Sequence, residues 1–488
     1  MGNEVEQWQQ GEIVTIEAGT GVGKSYFIKN TLYEKAKREG TKILFLLNRT
    51  RLKDQFNEEI QKDGKSDIID IFTYQKVENR LGRENNATLK DEYGYIVCDE
   101  FHYFLTESIY NSRTEDSFKL IMSHSNKTRI FMSATADITI DFFKFKDIEY
   151  RSYYVPHDYS HIKELLFYRD EKVLEKYLSK VRKGYKAIAF FTQATKAYEL
   201  HKRFEDSMFV CAEGNAEFKK YINKDQIRLM LTEETFNEKY LFTTSTLDNG
   251  INLRDQQLKY IVCDIQDVDV LIQCLGRKRI IDTKDKVTVV IKNITDKEIG
   301  QKIKAKNQII NPTQYLLENG SMKYIEKYPR YYSNPLVYDK LNKDKTGYDK
   351  AVNELRFFKE CSDKKNLELL LENQDGYLNH IKTKLQKENF IMLDEKYEKA
   401  TLEDYLDERI GHRLYKEEQM KLAKKINLTD GRSRLQKSCN SFNTYFYDNC
   451  LPYTIKDKNI DQRRVLGDGS NNPNYKKSYW LIAKFSVN

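Results

Sequence analysis

Short apolar runs separated by polar helical segments dominate the first 300 residues. Lys42 to Leu47 (KILFLL) is apolar for nearly its whole length, as a parallel strand covered on both faces requires. Ile13-Val14-Thr15-Ile16 precedes it, with a helical run from Tyr26 to Arg38 between the two. Asp67 to Phe72, Tyr93 to Cys98 and Arg129 to Met132 repeat the theme. Tyr153 to His161, with Pro156 inside, reads as a connector. A second series then follows: a helix from Glu171 to Lys183 and strands at Lys186–Phe191, Met208–Cys211, Tyr240–Thr244, Lys259–Cys263 and Lys286–Ile291. Strands alternating with helices predict an α/β chain with two doubly wound parallel-sheet lobes, residues 1–152 and 153–297.

From about Thr295 the pattern changes. Long polar helical stretches (Asp339–Cys361, Leu367–Asn389, Tyr397–Glu408) predict a mainly helical accessory region over 298–410. In the last part, 411–488, two helix candidates (Arg413–Ile426, Arg432–Asn449) precede β-like runs at Tyr453–Ile455, Arg463–Leu466 and Tyr479–Phe485. Helices followed by a hairpin resemble a winged-helix module, with Lys476, Lys477 and Tyr479 near the wing. Any small α+β end domain would give a similar pattern.

Composition changes this picture only slightly. The 488 residues suit about three domains. With 82 Lys and Arg against 74 Asp and Glu, the chain is mildly basic at +8, which permits a polyanionic partner without demanding one. Seven dispersed cysteines contain no C-x-x-C pair, so neither a zinc site nor an iron–sulfur cluster is supported. No run approaches the ~20 apolar residues of a membrane span, and the N-terminus lacks a basic-then-apolar leader. The expectation is a cytoplasmic chain with no membrane partner.

The candidate chemistry sits at strand ends. After Ile13–Ile16 comes Glu17-Ala18-Gly19-Thr20-Gly21-Val22-Gly23-Lys24-Ser25, then a helix. Glycines let successive N–H groups turn inward on a phosphate, and the helix N-terminus adds partial positive charge. Ala18, Gly19, Thr20, Gly21, Val22, Gly23, Lys24 and Ser25 are the candidate nucleotide cradle. Lys24 would reach the β- and γ-phosphates and Ser25 would bind Mg²⁺. A bare glycine-rich turn is the plain alternative, but strand, loop, Lys-Ser and helix occur in the order that the mechanism needs. Asp99-Glu100-Phe101-His102 closes a later strand. Asp99 would hold Mg²⁺, and Glu100 would orient and deprotonate water.

Over roughly residues 10–295 the chain resembles superfamily 2 helicases of the DExH (DEAD/DEAH-box-like) type. The matching segments are Ala18–Ser25 (motif I), Asn48–Leu52 (Ia), Thr73-Tyr74-Gln75 (Ic) and Asp99–His102 (II). They continue with Ser133-Ala134-Thr135 (III), Phe190–Gln193 (IV), Thr244–Asn252 (V) and Gln273–Arg279 (VI). Their order and spacing carry the resemblance, and such loops accept alanine at Ala18.

The resemblance implies two RecA-like lobes with ATP and Mg²⁺ between them. It implies that Gln273 and Arg277 line the cleft, with Gly250 of motif V near the nucleotide. The usual finger arginine stands three residues after Gly-Arg, where this chain has Ile280, so Arg277 and Arg279 are both candidates. Nucleic-acid contact is expected at Arg49, Thr50, Thr73, Gln75, Thr192 and Thr244, mostly to phosphates; helix caps and turns are the plain reading of the hydroxyls among them. By resemblance the motor moves 3′→5′ on single-stranded DNA, and its compact form with a C-terminal module is similar to phage or mobile-element replication proteins. An RNA helicase, a duplex-DNA translocase or defence-system motor, and a non-enzymatic binding protein with a degenerate ATPase are the alternatives. Intact Lys24, Asp99, Glu100 and Arg277 argue against the last.

Overall fold

The computed structural model describes residues 2–19, 22–48, 50–81, 89–109, 111, 113–135, 137–212, 214–244, 251–328, 333–342, 344, 346–431 and 434–485. They form two compact units, residues 1–169 with 175–390, and 170–174 with 391–488.

In the first unit, β1 (Ile13–Ala18), β2 (Lys42–Leu47), β3 (Ile69–Thr73), β4 (Tyr93–Asp99), β5 (Thr128–Ser133) and β6 (Arg151–Val155) make one parallel sheet. Their spatial order is β3-β2-β4-β5-β1-β6. This order brings the carboxyl ends of β4, β5 and β1 together, so segments far apart in sequence converge where ligands bind in such sheets. Both faces are covered. Val14, Ile16 and Val97 pack with Ile28, Leu32 and Ala36 of the helical run after β1. Ile96 and Phe131 pack on the other face with Phe101, Phe118 and Phe143. The helical run begins as Lys24–Phe27, widens to a π-turn over Ile28–Leu32 and resumes as Tyr33–Arg38.

The second series forms β7 (Ile162–Tyr168), β8 (Lys186–Phe191), β9 (Ser207–Val210), β10 (Tyr240–Thr244), β11 (Leu258–Asp264) and β12 (Val287–Lys292), again all parallel. Here the order β7-β12-β11-β8-β10-β9 sets the ends of β11, β8 and β10 side by side. The chain is therefore an α/β protein with two doubly wound parallel lobes of the RecA-like kind.

Three expected boundaries move. The first lobe does not end at 152, because β6 pairs with β1 in register Val14↔Arg151 to Ala18↔Val155. Arg-Ser-Tyr-Tyr-Val at a sheet edge is partly exposed, so it lacks the apolar run that betrayed the inner strands. The stretch Asp339–Cys361 is helix only from Glu354, because Val337–Leu341 and Tyr348–Val352 form an antiparallel hairpin before it. Its turn is built by Asn342, whose Oδ1 accepts the backbone N–H groups of Thr346 (2.9 Å) and Gly347 (3.3 Å). The third boundary, at 410/411, falls earlier, because the helix Leu393–Asp407 contributes Leu402 and Leu406 to the second unit's core.

Between these lie the helical run Asp296–Lys327, broken by a kink at Gly320 (φ 82°), and the helices Glu354–Leu371 and Gly376–Lys384. Thr295 and Glu298 cap the first with a reciprocal pair of bonds. Glu354–Leu371 docks on the first lobe: Leu355 enters its aromatic core, and Phe358 meets Phe142 edge-on at 5.1 Å. Lys306 ties Asp296–Lys327 to it through Glu360 (2.7 Å) and Asp363 (3.0 Å). Leu355→Ala is expected to cost about 2–5 kcal/mol, as a buried leucine truncation does, read as a lower unfolding midpoint.

In the second unit the chain order is the helix Leu393–Asp407, an antiparallel bridge from Leu414 to Trp480, the helices Lys416–Ile426 and Cys439–Asp448, and the paired strands Tyr453–Ile460 and Ser478–Lys484. Leu406, Leu414, Leu422, Phe442, Phe446, Ile455 and Ile482 form its core. Arg463–Leu466 is not a strand; of it, Val465 alone makes a single bridge, to Asn471. Among the described residues no helix is long and apolar enough to cross a membrane.

Candidate active site

The loop after β1 ends in Gly23, whose φ of 95° lies in the left-handed region that favours glycine. The next residue opens the helix, and Lys24 Nζ donates to the Ala18 carbonyl at 2.8 Å across the loop. Ala18, Gly19, Val22 and Ser25 complete the described part of the predicted cradle; Thr20 and Gly21 lie outside the described residues. An amine held on its own loop by one backbone carbonyl can exchange that bond for a phosphate oxygen without disturbing the core.

At the end of β4, Asp99 and Glu100 sit beside β5. Glu100 adopts φ 50°, a conformation unusual for a residue with a Cβ and costing on the order of 1 kcal/mol or more. Burial pushes the Asp99 carboxyl up to about 7, helped by the neighbouring Glu100 charge and opposed by Lys24. Burial also acts on Glu100, but the Lys24 and Arg277 charges and the Ser133 hydrogen bond hold it below the ordinary carboxylate range. One carboxylate is thus kept ionised while the other requires a cation. Asp99 Oδ1 is buried with no hydrogen-bond partner among the described residues. That orphaned oxygen and the Ser25 hydroxyl fit a hard divalent cation such as Mg²⁺.

A hydrogen-bond chain joins this pair to the second lobe. Ser133 Oγ lies 3.3 Å from Glu100 Oε2 and accepts from Thr135 N–H at 3.0 Å. His102 Nδ1 lies 2.9 Å from Ser133 Oγ, and His102 Nε2 lies 3.1 Å from Gln273 Nε2. With Gln273 donating, Nε2 is the acceptor and Nδ1–H donates onward to Ser133, whose one hydroxyl proton is shared between the Thr135 carbonyl (3.1 Å) and Glu100 (3.3 Å). All four side chains are wholly or mostly buried. Burial holds the His102 imidazole below its usual range, which favours this neutral tautomer.

Gln273 lies on the helix Val268–Leu275, fixed after β11 by Asp267, whose Oδ1 accepts the N–H groups of Asp269 (2.9 Å) and Val270 (3.1 Å). The two candidate arginines part company just beyond. Arg277 is buried and its charge acts on Glu100. Arg279 donates Nε–H to Asn252 Oδ1 at 2.8 Å, and burial and its neighbours Arg277 and Arg254 lower its pKa to about 10. Lys278, between them, is paired with buried Asp285 and serves the fold. The Arg277 charge is thus the one felt at Glu100, while Arg279 is bonded to Asn252 of motif V.

The predicted nucleic-acid residues occupy strand ends, with their hydroxyls partly engaged. Thr73 Oγ1 accepts Lys76 N–H at 3.2 Å as a helix cap. Gln75 Nε2 stands 3.5 Å from Asn48 Oδ1. Thr50 opens the helix Thr50–Lys62 and is exposed. Thr192 donates Oγ1–H to the Asp264 carbonyl at 3.0 Å, and Thr244 closes β10 in a buried position. Arg49 and motif V residues 245–250, Gly250 included, lie outside the described residues.

Residues 57–138 match a protein-family model described as the type III restriction enzyme, res subunit. No curated protein matches the chain. Among solved structures the chain is similar to S. cerevisiae Dbp5 bound to RNA and ADP BeF3, at 17% identity and TM-score 0.43, over 61% of this chain and 83% of that one. Mss116p bound to ssRNA and AMP-PNP gives 12% identity and TM-score 0.43 over 66% and 80%. A DEAD box protein from Methanococcus jannaschii gives 15% and 0.34 over 61% and 86%. The family match takes in the Asp99–His102 segment and not the loop Ala18–Ser25.

Two parts of the candidate site escaped the sequence reading. His157, in the expected connector, lies 3.0 Å through Nε2 from the Ala134 carbonyl of motif III. Its ring also passes under the nucleotide loop, so that a Cβ at Gly19 would come within 3.0 Å of Nδ1. A lone histidine after proline gives no sequence signal of this. The second is Lys384, on the accessory helix Gly376–Lys384, whose Nζ donates to Asp137 Oδ2 at 2.5 Å just after motif III. Gln273→Ala leaves buried His102 Nε2 without its donor, a loss of about 1–3 kcal/mol. The expected result is at least a ten-fold fall in nucleic-acid-stimulated turnover with little change in KM for ATP, measured in steady-state hydrolysis.

Proposed function

We propose that this chain is an ATP-dependent motor that moves 3′→5′ on single-stranded DNA and separates duplex DNA in replication or repair. The observation that carries the reading is the chain Gln273–His102–Ser133–Glu100, which makes the state of one lobe felt at the carboxylate of the other. ATP binds with its phosphates on the loop Ala18–Ser25, Lys24 exchanging the Ala18 carbonyl for a β- or γ-phosphate oxygen. Ser25 and Asp99 would hold Mg²⁺, which supplies charge neutralisation of the phosphates. Glu100, ionised and aligned by Ser133, orients the attacking water and takes its proton. Arg277 stabilises negative charge on the transferring phosphoryl group from the second lobe. Closure thus assembles the site, and reopening after hydrolysis resets the grip of Thr50, Thr73, Gln75, Thr192 and Thr244 on the backbone.

Strand displacement tests the reading. The full chain with ATP is expected to displace a strand from duplex DNA bearing a 3′ single-stranded tail and to leave a 5′-tailed duplex intact. Displacement of an RNA strand from an all-RNA duplex in preference to DNA would move the substrate assignment to RNA. Hydrolysis stimulated by DNA without displacement from either tail would make the protein a translocase only.

A further inference from the structure

The chain's basic excess is not spread along it. Residues 411–488 hold fifteen Lys and Arg against seven Asp and Glu, a formal +8, while residues 391–410 of the same unit hold three against seven, so the 391–488 unit is +4 with its basic side chains gathered after 410. Part of it is displayed on an ordered platform. Asp461, fully buried, accepts at Oδ1 from Arg413 Nη1 (2.5 Å) and Arg463 N–H (3.1 Å), and at Oδ2 from Tyr415 Oη (2.5 Å) and Asn472 Nδ2 (3.0 Å). Those bonds pin the long connection between the strands Tyr453–Ile460 and Ser478–Lys484, leaving Arg464, Lys476 and Lys477 exposed on it.

The helix Cys439–Asp448 complements that platform. Cys439, Phe442 and Phe446 bury one side, while Asn440, Thr444 and Tyr447, at spacings of four and three, line the exposed side. Tyr447 is 84% exposed, and Lys437 stands exposed just before the helix. The stripe is made of neutral hydrogen-bonding side chains up to the exposed Asp448 that closes the helix, with positive charge on the segments around it. A helix about 10–12 Å across matches the ~12 Å major groove of B-form DNA, whereas the A-form groove is too narrow to admit it.

We infer that the 391–488 unit is a duplex-DNA docking surface of its own, laying the helix Cys439–Asp448 in the major groove with Lys437, Arg464 and Lys477 on the flanking phosphates. This surface does not depend on the ATPase site. The test is nucleotide-free binding of the full chain to blunt duplex DNA across a salt series, comparing the parent with the triple substitution Lys437→Gln, Arg464→Gln and Lys477→Gln. All three side chains are exposed, and an unchanged unfolding midpoint verifies the fold. The expected result is an affinity at least about ten-fold lower and a slope of log K on log salt shallower by about two to three, one counterion set per lost phosphate contact. Lys24→Ala should bind the duplex as the parent does, which separates failure of this surface from failure of the motor reading. Equal affinity and equal slope for parent and triple variant would overturn the inference, as would equally tight binding of duplex RNA by the parent.

Discussion

Glu100→Gln and Lys24→Ala are each expected to lower nucleic-acid-stimulated ATP hydrolysis by about a thousand-fold or more, with the fold intact. The two losses differ in kind. Glutamine keeps the size of Glu100 and an oxygen that can accept from Ser133, and it meets the left-handed backbone at φ 50° with the same Cβ. What it lacks is the charge that takes a proton from water, so nucleotide binding should survive while turnover disappears. Among the described residues Lys24 donates only to the Ala18 carbonyl, so its truncation leaves one backbone oxygen among them without that donor. It removes the cation facing the phosphates and the charge that helps keep Glu100 ionised. ATP affinity and rate should both fall. Equilibrium binding of a fluorescent ATP analogue beside steady-state hydrolysis separates the two variants.

Arg277→Ala should cost ~10³-fold or more in turnover, the range in which an arginine acts on a transferring phosphoryl group. Arg279→Ala should cost far less. Arg277 is buried and acts on Glu100, whereas Arg279 spends its Nε–H on Asn252 and its backbone N–H on the Leu253 carbonyl (2.9 Å). The position that would ordinarily bear the finger holds Ile280, whose side chain is partly exposed and carries no charge. Steady-state turnover of the two variants at saturating ATP checks the assignment. Comparable losses in both would place the charge stabilisation on the pair.

What the sequence made legible follows from how parallel sheets are covered. Strands such as β2 and β4 are buried on both faces, and Lys42–Leu47 and Tyr93–Cys98 therefore appear as uninterrupted apolar runs. The nucleotide loop was legible because phosphate binding needs glycine, lysine and a hydroxyl at fixed spacing. Asp99 and Glu100 were legible only with that loop, since an acidic pair at a strand end is common. Edges hid more. β6 and the hairpin Val337–Val352 are half-exposed, so polar and aromatic residues masked their strands. The docking of Leu355 and Phe358 into the first lobe joins residues about 200 positions apart, and a local pattern cannot show which surface an amphipathic helix will choose. The left-handed Glu100 was equally invisible, because nothing in the residue type favours it. His157 belongs with these: its role arises from where β6 delivers the chain, under Gly19 and against Ala134.

The central claim is that hydrolysis depends on two lobes meeting over nucleic acid. Its most direct test is steady-state ATP hydrolysis by the full chain alone and with single-stranded DNA. Slow turnover without DNA, at least about ten-fold stimulation with it, and none in Lys24→Ala are the expected results. The same rate with and without nucleic acid, or full stimulated activity in Lys24→Ala, would contradict it.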